Sequence, residues 1–329
     1  MQRIEYIDNL RGFAIFLVLL GHIFIAKAPG GTHYPFCEMI YSFHMSLFFF
    51  ISGYLVYKTN KIREKGTKQY ISKKTISLLT PYIFWLFIAP YFIKSSFPCS
   101  VTDVVEKFNF VPNLNYWFLP LLFIFYIGYL FYLKIYWRLS NSIPEYIFII
   151  FIIVTLAIIG LLIKQYYMVV YTIYFGAFLF GHILSKYPNI EKCIEKKYVI
   201  GTSALLLCIL WKLFPLTTNG NKFYSLLNLG YIAASSITAI IVFYNIFKQI
   251  RLPRILNKYL SEIGKYTMAL YLLPIYLFTK DFYWEENYTH ALINVEAVVI
   301  AVIQSLIAYC IARGVDYIPI LRLLLFGKR

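Results

Sequence analysis

Charge is scarce in this sequence. Of its 329 residues only 14% are Asp, Glu, Lys or Arg, against about 25% in an ordinary globular domain. Acid is the scarcer sign, with 15 Asp and Glu beside 31 Lys and Arg. Cysteine is sparse too: Cys37, Cys99, Cys193, Cys208 and Cys310 lie far apart, with no CxxC pair and no Cys/His spacing for a metal. There is no internal repeat and no low-complexity tract. What abounds is apolar: 60% of residues are hydrophobic, 31 are Tyr and 30 are Phe, and the mean hydropathy is +0.67. A soluble fold cannot hide that much apolar surface. A soluble enzyme, a disordered chain and a secreted disulfide scaffold are therefore excluded. What remains is a polytopic membrane protein, a single transmembrane domain over 1–329 with no sizeable soluble part.

A membrane helix needs about 20 apolar residues. Runs of that kind fall at 10–26, 40–57, 76–93, 117–137, 146–163, 166–185, 198–214, 224–247, 263–279 and 291–312. They are apolar on all sides, not alternating as barrel strands are, so the fold class is all-α: a helical bundle of about ten spans. Lys164-Gln165 is so short a gap that the fifth and sixth spans read as a tight hairpin. With the N-terminus inside, 24 of the 31 basic residues fall on inner segments. That asymmetry puts both termini in the cytoplasm and accounts for the net charge of +16 without nucleic acid. Arg3, the run 13–25 and Ala26-Lys27-Ala28 imitate a signal peptide, but Pro29 after the cut and His22 within the run argue that the segment stays. Cys37 and Cys99 both fall outside, where a disulfide between them is open. Cys208 and Cys310 read as packing residues within spans.

Ionisable residues inside a bilayer are functional candidates by default. Here they are Arg11, His22, His44, His182 and Glu296, with Lys134 near a cytoplasmic end. Arg11 and His22 are separated by three helical turns and about 20°, so they share one face about 16 Å apart. Asp8, three residues before Arg11, can brace it. Together they predict a polar stripe from the cytoplasmic surface to past mid-membrane. Taken singly, Arg11 reads equally well as a topology anchor and His22 as an interhelical hydrogen bonder. The second span opens with His44, Ser46 and Ser52 as its polar residues, and Gly53 permits close helix approach.

The stretch Ile7-Asp8-Asn9-Leu10-Arg11-Gly12, with Gly21-His22 after it, resembles the opening signature of the membrane acyltransferase-3 family. Phe43-His44-Met45, followed by Leu47-Phe48-Phe49-Phe50-Ile51-Ser52-Gly53-Tyr54, is similar to its second signature. Tyr116-Trp117-Phe118-Leu119 and the run from Ile263 to Leu273 resemble later family segments. Two departures stand out. Lys73 and Lys74 precede Pro81-Tyr82 where arginines are usual, and lysine lacks the bidentate fork. Pro274 stands where the penultimate span often carries a histidine. Some members carry a fused hydrolase-like domain; this chain reads as the stand-alone form.

The resemblance implies an enzyme of the acyltransferase class that transfers groups other than aminoacyl groups. It would be an inner-membrane O-acyltransferase, foremost an O-acetyltransferase, acting on a surface polysaccharide or lipid-linked sugar of the cell envelope. Acyl-CoA would be the donor substrate, with no bound cofactor and no metal. Besides the donor, its partners would be the glycan acceptor and membrane lipid, not nucleic acid. His22 would be the general base, supported by Arg11 and Asp8. Its unperturbed pKa near 6.5 leaves much of it neutral at pH 7. Lys73 and Lys74, with Arg11, would hold donor phosphates; His44, Ser46, Ser52 and Trp117 would contact substrate. A covalent acyl-enzyme on Ser52 is a lesser variant. The competing reading is a transporter or flippase of a lipid-linked glycan, which also uses intramembrane ionisable groups.

Overall fold

In a computed structural model of the chain, the described residues are 4–58, 66–86, 116–139, 143–213, 222–273 and 289–328. They are helical throughout, and no strand occurs among them. Lipid offers backbone groups no partners, so each segment must satisfy its own N–H and C=O groups internally, as a helix does. Among the described residues seven helices are long and apolar enough to span a membrane, which makes this a multi-pass membrane protein. The chain divides into two compact units.

The first unit holds residues 1–59, 146–267 and 280–305. It contains α1 (Glu5–Lys27), the short α2 (Pro35–Tyr41) and α3 (His44–Lys58). α2 and α3 together make one span from Pro35 to Lys58, broken at Ser42-Phe43. Pro35 starts α2 at a position where its missing N–H has no helical partner to lose. Most of α6 (Glu145–Leu162) and all of α7 (Tyr166–Lys186) follow. The turn between them has Lys164 in the left-handed region, φ 55°, which gives the tight hairpin its reversal. Then come α8 (Pro188–Ile194), α9 (Lys197–Leu213), α10 (Lys222–Gln249) and α11 (Arg254–Lys265). α13 (His290–Val315) contributes its first part.

Glycines set the tightest crossings here. A β-carbon on Gly53 would stand 1.8 Å from the Phe178 carbonyl oxygen, and one on Gly181 2.1 Å from that of Phe50. So α3 and α7 touch backbone to backbone, the close approach that small residues allow in membranes. α1 and α11 cross in the same way through Gly12 and Gly264. Aromatic rings fill the wider gaps: Phe243 on α10 stacks on Phe43 at 5.3 Å and meets Phe13 at 4.8 Å.

The second unit holds 60–145, 268–279 and 306–329. Its described parts are α4 (Thr67–Lys74), a π-turn over Thr75–Leu79 and helix on to 86, then α5 (Phe118–Leu139). Residues of α12 (Thr267–Leu272), the end of α13 and α14 (Pro319–Phe326) complete it. Trp85 donates its indole N–H to the Leu325 carbonyl at 3.1 Å. At Gly327, φ 62°, the chain passes so near Ser77 that a β-carbon would stand 2.3 Å from its carbonyl oxygen.

Two expected spans differ. The third, read from 76, begins at Thr67, because residues 67–74 are polar and hydropathy misses them; its end, 87–93, lies outside the described residues. The seventh, read as 198–214, agrees with α9. The ninth, read as 263–279, is not one run: α11 ends at Lys265, Tyr266 breaks the helix and α12 follows. Pro274 and Cys99 lie outside the described residues. Cys208 and Cys310 are exposed on their helices. They are not packing residues, since an apolar side chain is equally at home against lipid.

Candidate functional site

α1 carries the candidate base. Its neighbours Gly21 and Ile23 are buried, whereas the His22 side chain is exposed. The exposure is local, since protein surrounds His22 at longer range. Neither ring nitrogen meets a hydrogen-bond partner among the described residues. An imidazole left without partners inside a bundle is unusual, because structural histidines are normally satisfied.

The wall opposite comes from α2 and the start of α3. Tyr41 lies against Gly21, where a β-carbon would stand 2.7 Å from its Cε2, and its ring meets His44 edge-on at 4.7 Å. Tyr41 is thus the link from the first-span motif to His44. His44 is buried, and its Nδ1 lies 2.8 Å from the Ile40 carbonyl oxygen. A carbonyl only accepts, so Nδ1 carries the proton and Nε2 the lone pair. The two imidazoles are within electrostatic reach of each other. The short connection between the first two spans already let His22 and His44 face one cavity; the turn at Ser42-Phe43, which starts α3 at His44, sets how they meet.

The serines separate. Ser46 is fully buried and its hydroxyl meets Ser236 on α10 at 2.6 Å; Ser236 in turn donates to the Ser42 carbonyl at 3.3 Å. Sequence reasoning passed over Ser236, although Ser235-Ser236 in an apolar span was a visible signal. Ser52 is half-buried and has no base beside it among the described residues.

At the other end of the face, Arg11 Nη1 stands 4.0 Å from Asp8 Oδ1, at the limit of an ion pair. Asp8 is buried and Arg11 half-buried. The stripe between Arg11 and His22 is not continuous. Ile15 and Val18, on the same face, are buried against neighbouring helices. Helical periodicity reports which residues share a face; it does not report what covers them. Asn9, next to Asp8, donates to Asn257 at 2.5 Å, and Asn257 donates to Glu5 at 2.6 Å. Of the remaining ionisable candidates, His182 is buried with Tyr57 edge-on at 5.3 Å, and Glu296 is half-buried on α13.

Lys73, Lys74 and Trp117 belong to the second unit. Lys73 is exposed. Lys74 is half-buried, with its ammonium 3.6 Å from the centre of the Tyr126 ring and 5.6 Å from that of Tyr70. The Tyr70 hydroxyl is buried and has no hydrogen-bond partner among the described residues. Trp117 is half-buried and follows Tyr116, whose φ of 73° is an outlier for a bulky residue. Glu145, buried and accepting from the Tyr132 hydroxyl, was missed because it opens α6 at the edge of a span. Among the described residues no group of three His, Cys, Asp or Glu is arranged to hold a metal ion.

Comparison with known proteins gives a match to the family described as an acyltransferase domain, over residues 4–313. A nodulation protein, NolL, of Mesorhizobium japonicum is 34% identical over 127 residues, 36% of this chain and 33% of that protein. NolL of Sinorhizobium fredii is 35% identical over 82 residues, 24% of this chain and 22% of that protein. The matched stretches thus span a third or less of these relatives' own length. No solved structure matches the chain.

Proposed function

Because the chain belongs to the acyltransferase-3 family, we propose that it is an integral-membrane O-acyltransferase. It moves an acyl group, foremost acetyl, from cytoplasmic acyl-CoA to a hydroxyl of a surface polysaccharide or lipid-linked sugar. The observation that carries the reading is His22: an exposed imidazole within a membrane span, without a hydrogen-bond partner among the described residues and on the same helix face as Arg11.

A sugar hydroxyl stays protonated at neutral pH, so it needs a base as it attacks. His22 takes that proton while the sugar oxygen bonds to the thioester carbonyl carbon. The carbon–sulfur bond then breaks, and CoA leaves as a thiolate that recovers the proton from His22. No covalent acyl-enzyme is required, in keeping with a Ser52 that has no adjacent base. His44, its Nε2 an acceptor, orients the attacking hydroxyl. Ser46, held by Ser236, shapes the wall. Asp8 steadies Arg11, whose charge attracts the donor phosphates; Lys73 and Lys74 carry charge of the same sign to the same end. Trp117 contacts substrate at the entry to its span. The chain makes ten spans in the inner membrane with both termini cytoplasmic, as the placement of 24 of its 31 basic residues supports. Cys193 is exposed on α8 and should react with a membrane-impermeant maleimide only from the cytoplasmic side; reaction from outside would reverse the orientation.

The test is purified full-length protein in detergent with radiolabelled acetyl-CoA and a glycan acceptor. Release of CoA with alkali-labile label on the glycan is expected. No release with any acyl-CoA, together with movement of lipid-linked glycan across vesicles holding the protein, would replace the enzyme with the transporter.

A further inference from the structure

α10 ends at Gln249, at one end of its span, and the chain then passes into α11. From the end of α10 into the first turn of α11, residues 250–258 show an unusual surface. Ile250 is 57% exposed, Ile255 86% and Leu256 42%. Interleaved with them are Arg251, Arg254 and Lys258, all exposed and none paired with an acid among the described residues. Arg254 and Lys258, four residues apart, share a helix face, with Ile255 beside it. The opposite side of α11, Leu260, Ile263 and Gly264, is buried.

Water alone does not suit this face, since it solvates the cations but leaves three aliphatic side chains uncovered. Hydrocarbon alone does not suit it either, since it would strand three cations. The headgroup layer satisfies both: aliphatic side chains reach the acyl boundary while the cations meet phosphate. Its position at the end of a span puts it at that depth. Three cations with no acid among them also select against a purely zwitterionic surface.

We propose that residues 250–258 are a docking site for the headgroups of anionic phospholipid, and that its occupancy holds α11 in place on α1. The second half follows from the crossing. Asn257, inside the segment, bonds both Glu5 and Asn9. One turn further on, the Leu260 carbonyl rests on Gly12, and Gly264 rests on the Asp8 carbonyl. The lipid-facing helix therefore sits on the stretch of α1 that carries Asp8 and Arg11. Anionic lipid should tighten the donor end of the site; this second half rests on the donor reading given above.

The test uses the full chain, wild type and the triple variant Arg251→Gln/Arg254→Gln/Lys258→Gln, in nanodiscs of phosphatidylcholine with or without phosphatidylglycerol. The first readout is the lipid retained after detergent extraction, by native mass spectrometry. Wild type should keep phosphatidylglycerol in preference to phosphatidylcholine, and each cation removed should weaken retention about fivefold. Ile255→Ser should weaken it with the charge unchanged. Equal retention by wild type and triple variant would overturn the docking site. So would displacement of the lipid by inorganic phosphate alone, which would assign the cations to a soluble anion. The second readout is the KM for acetyl-CoA. It should fall several-fold with phosphatidylglycerol in wild type and not respond in the triple variant. Lipid retained with an unmoved KM would overturn the coupling. If no transfer occurs at all, the enzyme reading fails while the retention result still decides the docking site.

Discussion

The carbonyl oxygen of Leu260 occupies the space where any residue but glycine at position 12 would carry its β-carbon; the two would stand 2.0 Å apart. Gly264 repays the contact at the Asp8 carbonyl, also at 2.0 Å. Neither clash is with a flexible side chain, so alanine at either position must push the helices apart. Gly12→Ala and Gly264→Ala should each lower the melting temperature in detergent, by strain of about 1–3 kcal/mol. Gly230, on α10 with open space around it, is the control. Gly230→Ala should leave melting unchanged or raise it, because alanine favours a helix interior. Equal melting of Gly12→Ala and Gly230→Ala would mean that the crossing is looser than described.

His22→Gln keeps a polar side chain that can hydrogen-bond but cannot take a proton. A general base contributes about 10²–10⁴-fold in rate, so kcat should drop by that much while the protein still inserts and melts as wild type. If the variant keeps more than about a tenth of wild-type kcat, the base is elsewhere, and His44 with its free Nε2 is the next candidate.

The neighbouring lysines should behave differently. Lys73 is exposed, so Lys73→Ala should raise the KM for acyl-CoA, less at high salt where exposed charges are screened. Lys74 lies over Tyr126, so Lys74→Ala should also cost about 0.5–2 kcal/mol of stability. Identical effects of the two substitutions on both KM and melting would show that the aromatic contact plays no part.

Glu191 gathers Lys248 at 2.5 Å and the hydroxyls of Tyr244 and Tyr54, and Tyr54 meets Tyr6 on α1 at 2.8 Å. Burial alone would raise its carboxyl, but the bonds from Lys248 and Tyr244 prevail and hold it below its ordinary 4.5. A carboxyl lower in the folded than in the unfolded state stabilises the fold above its unfolded pKa. That contribution is lost as pH falls through the folded value. Wild type should therefore melt progressively earlier as pH drops below about 4.5. Glu191→Gln should melt earlier at neutral pH, by about 1–3 kcal/mol, with a flatter acid limb. An acid limb as steep as that of wild type would assign the pH dependence to other carboxyls.

Hydropathy alone located the spans that run from Glu5, Glu145, Tyr166 and His290, because each is a single apolar run closed by polar residues. Lys164-Gln165 was legible as a reversal because two residues leave the chain no other course. The polar start of the third helix at Thr67 and the independent α11 were not legible, since neither is apolar enough to register as a span. That Arg11, His22 and Asp8 lie on one helix could be read, because a helix fixes their angular relation. That His44 could face His22 followed from the short loop between their spans; the intervening Tyr41, lying over Gly21, could not be read, because it depends on the break at Ser42-Phe43. The commitment of Ser46 to Ser236 joins residues 190 apart, a tertiary fact that no local pattern encodes.

Ile15 and Val18, closed over by their neighbours between Arg11 and His22, have an electrical meaning. Moving one elementary charge across a membrane potential is worth about 2.3 kcal/mol per 100 mV. A wet, polar stripe the length of α1 would let protons and ions run down that gradient at every turnover. An insulating collar of two aliphatic side chains breaks that conductor. Such a collar turns back protons, metal cations and phosphates alike, so the cell's voltage holds across α1.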